Sequence, residues 1–398
     1  MVIRSSEDSL RTLKIHATRR FHIFAICSNF LAGALGGCSV TKEREGLVSM
    51  SERQVRSGPP ILRMAAFTCG RDAPASRFRL RQYLPVLRAA GIETTEYWPR
   101  ATAYPPAQFW LRPPWLAATL AERAGQVFAA RGADVTFLQR EMVSTLATLE
   151  RFTPRPRLLD IDDAVHLFRG GRTSRRLGAL ADLVIAGNTE LAGVWRDWAP
   201  RVEILPTAVD TASCPLSPLP ERPVVGWIGS SANLRYLEAL AEPLERVVRR
   251  FPQTVIAVCC DAPPVLPGLP VRFTRWRPDI EPAFVDSLGV GLMPLDNGPW
   301  ERGKCSFKML QYMAGARPCV VSPVGMNSDV LAQAPVGLAA FTPDQWAEAI
   351  SALLADRDRA AGMGAEGRRL AERVYSIPVV AARLATLVRD IFSPARQR

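Results

Sequence analysis

From residue 61 onwards, short apolar runs alternate with loops of small or polar residues, and each loop leads into a segment of helical periodicity. One such helical segment carries Leu237, Leu240, Leu244 and Val247 on a single face. Strands that alternate with amphipathic helices form a parallel sheet with helices on both faces. The pattern therefore predicts an α/β protein whose two halves repeat one topology. The predicted strands lie at 61–68, 134–138, 156–161 and 181–186 in the first half, and at 224–228, 254–260, 289–295 and 318–321 in the second.

A proline-rich stretch at 207–220 separates the two halves. A chain of 398 residues suits two domains of ordinary size. We predict one domain over 59–210, a second over 211–375, and a helical segment over 376–398. Residues 1–58 do not resemble the rest, and we expect them to be an appendage that is disordered or that reflects a mis-annotated start.

The formal net charge is +12, which favours anionic partners such as nucleotides, phosphates or acidic lipid surfaces. The arginines are scattered and no basic run is interleaved with aromatic residues, so a dedicated nucleic-acid binder is not expected. The eight cysteines form no CxxC pair, and several lie in apolar runs that are typical of a reduced protein core. Three histidines in the chain make a multi-histidine metal site improbable.

A basic loop joins the predicted strand at 289–295 to a helix that begins near Phe307. Gly298, Pro299 and Gly303 lie in this loop, with Arg302 and Lys304 beside them. A helix N-terminus with nearby cations attracts an anion. Lys304, Ser306, Lys308 and Gln311 are therefore candidate ligands of a phosphate-bearing molecule, together with Arg302. The alternative is an ordinary βα loop with solvated lysines.

Each polar cluster of the chain follows a predicted strand. In open α/β sheets, ligands bind at the carboxyl ends of the strands. If the two sheets face each other, the clusters converge on one cleft. They lie at 70–77, 160–166, 187–188, 229–233 and 302–308.

The densest group of titratable residues is Asp160, Asp162, Asp163 and His166. Neighbouring carboxylates raise one another's pKa, and they favour a charged histidine. Asp162, Asp163 and His166 are candidates for acid–base catalysis or for orienting a hydroxyl. The competing interpretations are a divalent metal bound to the D-x-D pair, Asp160 and Asp162, or a simple helix cap.

Three further residues are candidates for the phosphate or acceptor side of the site. Ser76 and Arg77 begin a helix after a small-residue loop, and Asn188 begins another. Arg77 suits a phosphate or a carboxylate, although a solvated arginine is an equal alternative. Gly229 and Ser230 would let a ligand approach the backbone closely, or would form a plain tight turn.

Several of these motifs, in this order and at this spacing, carry a resemblance to a known family. From about Leu62 to the C-terminus, the chain resembles the group 1 (family 4-like) glycosyltransferases of the GT-B architecture. The motifs are Ala75–Arg79, Leu159–Ala164, Ala186–Ala192, Ile204–Asp210, Gly226–Ser230, Gly303–Lys308 with Gln311–Ala314, and Val321–Asn327.

The resemblance implies two facing Rossmann-like domains with parallel sheets and an interdomain cleft, and a C-terminal helix that crosses back onto the first domain. It implies a nucleotide-sugar donor held mainly by the second domain, as substrate and with no cofactor. The acceptor would lie on the first domain, no catalytic metal would be needed, and the anomeric configuration would be retained. The donor diphosphate would meet Gly229, Ser230 and the loop 302–308.

One departure concerns the donor site. Many relatives carry two glutamates eight positions apart, and these positions are Gly303 and Gln311 here. Glutamine can hydrogen-bond a ribose hydroxyl but carries no charge. Lys304 and Lys308 would then take over part of the donor site.

Three functions remain open from the sequence. The first is a metal-independent glycosyltransferase acting on a cell-envelope polysaccharide, glycolipid or similar acceptor. The second is a metal-dependent transferase or phosphohydrolase built on the aspartates. The third is a catalytically silent relative that binds nucleotide sugars. The basic surface would allow peripheral contact with an anionic membrane.

The apolar segment from Phe21 to Val40 follows Lys14, Arg19 and Arg20 and contains Cys38, like a secretory or lipoprotein signal. Translation that begins at Met50 or Met64 is the alternative. We favour the alternative and a bacterial cytoplasmic enzyme, because export would separate the enzyme from its nucleotide donor.

Overall fold

The computed structural model describes residues 61–71, 73–100 and 104–393. The predicted appendage and Cys38 lie outside these ranges. The described residues form two six-stranded sheets, in which every strand pair is parallel. The twelve strands are β1 Leu62–Phe67, β2 Ile92–Tyr97, β3 Val135–Gln139, β4 Arg157–Ile161, β5 Leu183–Ala186, β6 Val202–Ile204, β7 Val224–Ile228, β8 Val255–Cys260, β9 Val271–Arg275, β10 Val290–Met293, β11 Cys319–Val321 and β12 Gly337–Ala339.

Helices cover both sheets, as expected when βα units repeat. The first sheet has the strand order β2-β1-β3-β4-β5-β6, and the second has the order β12-β11-β10-β7-β8-β9. The helices are α1 Pro74–Arg79, α2 Leu84–Ala89, α3 Arg112–Ala129, α4 Arg172–Leu180, α5 Thr189–Trp195, α6 Leu234–Glu238, α7 Ala241–Arg250, α8 Glu281–Asp286, α9 Pro299–Arg302, α10 Phe307–Ala314, α11 Met326–Leu331, α12 Pro343–Ala355, α13 Arg357–Leu370 and α14 Ile377–Phe392.

The last helix, α14, returns to the first domain. Its apolar face, including Val380, Leu384 and Val388, is buried in one cluster with Leu62 and Met64 of β1. The chain thus crosses between the domains twice, and the two crossings are joined where Val209 N donates to Tyr375 O at 2.8 Å. The predicted α/β fold, with its returning helix, is confirmed.

The eight predicted strands all form, and each lies within two residues of its predicted bounds. The pattern did not predict β2, β6, β9 and β12. These four strands stand at the edges of the two sheets, where their side chains are only partly buried. No helix among the described residues is long and apolar enough to span a bilayer.

Candidate functional site

The carboxyl ends of both sheets open onto a single cleft of about 500 Å³. This volume lies within the usual range for ligand sites, roughly 300–1,000 Å³. The cleft contains residues of both domains, in keeping with the expected convergence of the polar clusters. Those of the first domain are Pro74, Ala75, Phe78, Arg79, Asp162, Asp163 and Thr207, and those of the second are Ile228, Gly229, Ser230, Asn233, Asp261, Trp276, Glu281, Met293, Lys304, Cys305, Ser306, Phe307, Lys308 and Gln311.

The basic loop brings two lysines into the cleft. Ser306 adopts a left-handed conformation, with φ 49°, immediately before α10 begins at Phe307. Lys304 Nζ lies 5.6 Å from the Trp300 ring centre, and Lys308 Nζ lies 5.4 Å from that of Trp227. Burial, and secondarily the charge of Lys304, lowers the pKa of Lys308 to about 8. A neighbouring anion would relieve this cost by favouring the charged ammonium.

Lys304 and Lys308 share a feature that the sequence-based prediction overlooked. The chain has four lysines, at positions 14, 42, 304 and 308, against 46 arginines among its 50 basic residues. Both lysines within residues 61–393 therefore lie in this cleft. This bias was visible in the composition and would have strengthened the case for the basic loop.

Gly229 lets the end of β7 pack directly against Lys308. A Cβ atom at this position would lie 2.6 Å from Trp227 Cη2 and 2.8 Å from Lys308 Cε. Ser230 Oγ accepts a hydrogen bond from Asn233 Nδ2 at 2.9 Å. Asp261 holds the same turn by accepting from the backbone N–H and the hydroxyl of Ser231, both at 2.6 Å. The turn is thus fixed beside Lys308.

Glu281, a residue that the sequence-based prediction missed, joins the two walls of the cleft. Its carboxylate accepts from Trp276 Nε1 at 2.9 Å and from Gln311 Nε2 at 3.3 Å. The same carboxylate pairs with Arg77 of the first domain at 3.2 Å. Arg77 itself faces an adjoining cavity of about 180 Å³ rather than the cleft. It is neither free nor simply solvated, because the Glu281 carboxylate holds it.

The acidic cluster is held by two arginines. Asp160 is completely buried and accepts from Arg79 Nε at 3.1 Å. Asp162 and Asp163 line the cleft, and Arg140 donates to both, at 2.7 and 2.6 Å. Burial raises the pKa of Asp163, although the charge of Arg140 opposes this.

This arrangement bears on the metal and cap interpretations. The Asp160 carboxylate is turned away to Arg79, so it does not form a D-x-D metal pair with Asp162. Within residues 61–71, 73–100 and 104–393, no group of three or more His, Cys, Asp or Glu side chains has the proximity for a metal site. The cap interpretation is wrong, because the helical turn that follows the cluster begins at Val165, has Ala164 as its N-cap residue and lacks a side-chain cap.

His166 does not line the cleft. Its ring packs edge-on against Trp198, with the ring centres 6.2 Å apart. Its Nδ1 is buried without a hydrogen-bond partner among the described residues, and burial lowers its pKa. The structure therefore separates His166 from the two aspartates with which the sequence had grouped it.

Three other predicted site residues have structural contacts instead of facing the cleft. Ser76 is buried and donates to Gln139 Oε1 at 2.8 Å. The Arg302 side chain is exposed and donates to Asn297 Oδ1 at 3.0 Å. Asn188 Oδ1 caps α5 by accepting from Leu191 N at 2.8 Å, so each of these polar groups is already engaged.

Asn188 also ties the basic loop to the first domain. Its amide Nδ2 donates to the backbone oxygens of Arg302 and Lys304, at 3.1 and 3.0 Å. Cys305 Sγ donates to Asp162 O at 3.1 Å. Gly187 is required beside it, since a Cβ atom there would lie 2.1 Å from the Cys305 sulfur. The first domain thus helps to hold the loop that carries the two lysines.

The same part of the chain matches a known family. Residues 222–356 match the family model described as Glycosyl transferases group 1. The match covers most of the second domain, which is therefore similar to the group 1 glycosyltransferases. The match confirms the class of enzyme predicted from the sequence motifs. No curated protein matches the chain.

Solved glycosyltransferase structures share the two-domain fold. A sucrose-phosphate synthase from Thermosynechococcus elongatus superposes with a TM-score of 0.63 at 17% identity, over 83% of this chain and 99% of that one. HepE of Anabaena, in complex with UDP and glucose, has a TM-score of 0.61 at 14% identity, over 83% and 100%. WaaG, a glycosyltransferase involved in lipopolysaccharide biosynthesis, has a TM-score of 0.58 at 13% identity, over 82% and 99%. These likenesses confirm the GT-B fold.

Proposed function

We propose that the protein transfers a sugar from a nucleotide-sugar donor to a polysaccharide, glycolipid or similar acceptor, with retention of configuration and without a catalytic metal. The observation that carries the proposal is the pair Lys304 and Lys308, set against the Gly229–Ser230 turn inside an interdomain cleft. The bound UDP and glucose of HepE support this class of donor for the shared fold.

The lysines would act on the leaving group. Cleavage of the sugar–phosphate bond develops negative charge on the departing nucleoside diphosphate. Preorganised cations that face this charge stabilise the transition state. Lys304 and Lys308, with the N-terminal end of α10 beside them, supply this field where the sequence has no paired glutamates.

The aspartates would act on the acceptor. Asp162 and Asp163 stand on the first-domain wall of the cleft, and Arg140 fixes both carboxylates. Such a pair can orient an acceptor hydroxyl and receive its proton. Burial raises the pKa of Asp163, so its carboxylate is a better proton acceptor than an ordinary aspartate. His166 has no part in this proposal, since its ring packs on Trp198.

Glu281 would supply the carboxylate that is absent at positions 303 and 311. It lies in the cleft beside Gln311 and Trp276, at hydrogen-bond distance from both. A buried carboxylate and a glutamine amide together offer acceptors and donors for sugar or ribose hydroxyls. We expect no cofactor, a cytoplasmic location and, from the net charge of +12, peripheral contact with an anionic membrane.

A screen of nucleotide sugars by thermal shift tests the donor assignment, because a ligand stabilises the folded state that binds it. A Lys304→Ala/Lys308→Ala variant should lose the shift. Arg302→Ala is the matched control: it removes a positive charge from the same loop, but at a side chain outside the cleft, and should keep the shift. Equal shifts in all three proteins would refute the donor assignment.

Transfer measured with EDTA tests metal independence. Activity that disappears on chelation and returns with a divalent cation would favour the metal-dependent alternative. A nucleotide-sugar shift without any transfer or hydrolysis would favour the silent binding relative.

A further inference from the structure

Two exposed apolar tips flank one loop of the first domain. The first tip, residues 104–111, precedes α3 and exposes Tyr104, Phe109 and Trp110, at 65%, 72% and 62% of their surface. The second tip, Leu167–Phe168, exposes 44% and 47%. Large apolar side chains that cluster on a surface indicate a site of interaction rather than packing.

The loop between the tips makes them parts of one surface. Tyr104 lines a small cavity with Glu141, Met142 and Ser144 of the loop. From the other side, Arg169 Nε donates to Thr145 Oγ1 and Thr173 Oγ1 donates to Thr145 O, both at 2.8 Å. Residues 141–145 therefore lie between Tyr104 of the first tip and Arg169 and Thr173, which follow the second tip.

The surface is strongly basic on the side of the second tip. Four exposed arginines follow Phe168 within eight residues, and the run 164–181 contains no acidic residue. Two carboxylates beside the first tip and the loop accept hydrogen bonds from backbone N–H groups: Glu141 from Thr145 N at 2.8 Å, and Glu122 from Arg100 N at 3.1 Å. The arginines are Arg169, Arg172, Arg175 and Arg176.

The surface also adjoins the cleft. The cavity beneath Tyr104 includes Arg140, which holds Asp162 and Asp163. Phe168 packs edge-on against Trp300 of the basic loop, with ring centres 5.6 Å apart. The first tip thus adjoins the arginine that holds the aspartates, and the second adjoins the basic loop.

We propose that this surface, Tyr104–Leu111 and Leu167–Arg176, seats the first domain on an anionic membrane and presents a lipid-linked acceptor to Asp162 and Asp163. Aromatic side chains favour the lipid interface, while arginines bind the phosphates of acidic headgroups. A protein partner would be expected to offer acidic residues to the arginines, but the separate aromatic tips fit a flat interface between lipid and water. The acceptor part of this inference rests on the proposed function; the membrane part does not.

Co-sedimentation of the full chain with phosphatidylcholine vesicles, with and without phosphatidylglycerol, tests the membrane seat. Each of Phe109→Ser and Trp110→Ser should weaken binding about tenfold or more, from the lost apolar burial. Each of Arg172→Gln and Arg176→Gln should weaken binding about fivefold, only with the acidic vesicles and less at high salt. Residues 1–60 are identical in all variants, so they cannot cause these differences.

Val265→Ser and Arg249→Gln are the matched controls. Both side chains are exposed on the second domain, away from the surface, and their loss should leave vesicle binding unchanged. Equal binding of all variants, or equal binding to neutral and acidic vesicles, would overturn the proposal. So would a dimer in light scattering that Trp110→Ser dissociates while vesicles remain unbound, since that result assigns the surface to a protein partner.

The thermal shift with a nucleotide sugar distinguishes a failure of this inference from a failure of the proposed function. Trp110→Ser should keep the thermal shift with the nucleotide sugar, because Trp110 does not contact the cleft. Vesicle binding in a protein that binds no nucleotide sugar would remove the proposed function and leave the membrane seat. A thermal shift with the nucleotide sugar in a protein that does not bind vesicles would remove the membrane seat and leave the proposed function.

Discussion

Lys308 should make donor binding depend on pH in a direction that the structure fixes. Its pKa in the free protein is about 8, against an ordinary value of 10.5, because of burial and the nearby Lys304. An anion bound beside Lys308 favours the ammonium and raises the pKa in the complex. The contribution of Lys308 to affinity is therefore complete below about pH 8 and is lost as the pH rises through the pKa of the complex.

The size of the effect follows from the strength of one charged hydrogen bond. Such a bond contributes about 1.5–3 kcal/mol, which places the pKa of the complex about one to two units above 8. The dissociation constant of the donor should then increase about tenfold to fiftyfold between pH 7 and 10. The diphosphate of a nucleotide sugar is a diester and does not titrate in this range, so it adds no pH dependence of its own.

The assay is calorimetric or fluorescent titration of the donor across this pH range, with three proteins in a Lys304→Arg background. The protein that keeps Lys308 should bind the donor more weakly as the pH rises. Lys308→Arg should bind with little change, since a guanidinium stays charged throughout. Lys308→Met should bind weakly at every pH. Identical profiles for Lys308 and Lys308→Arg would refute the assignment.

The free protein should respond to pH in the opposite direction. Because its native pKa is depressed, the charged Lys308 destabilises the folded state below pH 8, and this cost disappears as the pH rises towards 10.5. The shift from 10.5 to about 8 corresponds to at most about 3 kcal/mol. Lys308→Met should therefore stabilise the free protein near neutral pH while weakening donor binding. A purely structural lysine would not give this combination.

Four further outcomes follow from contacts described above. Arg79→Met should lower the free energy of unfolding by about 3–5 kcal/mol in urea denaturation, because it leaves Asp160 charged and buried without a partner; a loss below about 1 kcal/mol would contradict this buried pairing. Glu281→Gln should raise the KM for the donor more than it alters stability, since its pair with Arg77 is partly exposed and such pairs contribute about 1 kcal/mol or less; an unchanged KM would remove Glu281 from the donor site. Asn188→Ala should cost about 1 kcal/mol of stability as a lost helix cap and also weaken the donor, whereas Asn188→Ser should restore the stability alone. His166→Gln should leave kcat within about twofold, and a loss of two orders of magnitude or more, the scale of general acid–base catalysis, would return that residue to the mechanism.

The central strands of both sheets could be predicted because burial on both faces requires uninterrupted apolar runs, as in Val224–Ile228. The edge strands were missed for the complementary reason. Ile92–Tyr97 has the sequence IETTEY, of which only Ile92 is buried, so its pattern resembles that of an exposed loop. Whether such a segment forms a strand depends on its pairing with one neighbouring strand, and this pairing cannot be read from a single sequence.

Some residues of the candidate site could likewise be predicted from the sequence, and others could not. Lys304 and Lys308 could be predicted because the strand, the loop and the helix that place them are contiguous in the chain. Arg140 and Glu281 could not, since their importance lies in partners far along the chain: Arg140 holds Asp162 and Asp163, and Glu281 holds Arg77, 204 positions away. His166 is the reverse case, because proximity in sequence suggested a contact that the 3₁₀ turn at 165–171 prevents.

The hydrogen bonds from the Asn188 amide to the backbone at 302 and 304 have a consequence for how ligands of the two domains affect each other's binding. They make the shape of the loop a shared property of both domains, so a molecule that steadies either domain also steadies the loop. Ligands of the two domains should then bind cooperatively, and thermodynamic linkage requires the benefit to be reciprocal. If a bound acceptor raises the affinity for the donor severalfold, a bound donor must raise the affinity for the acceptor by the same factor.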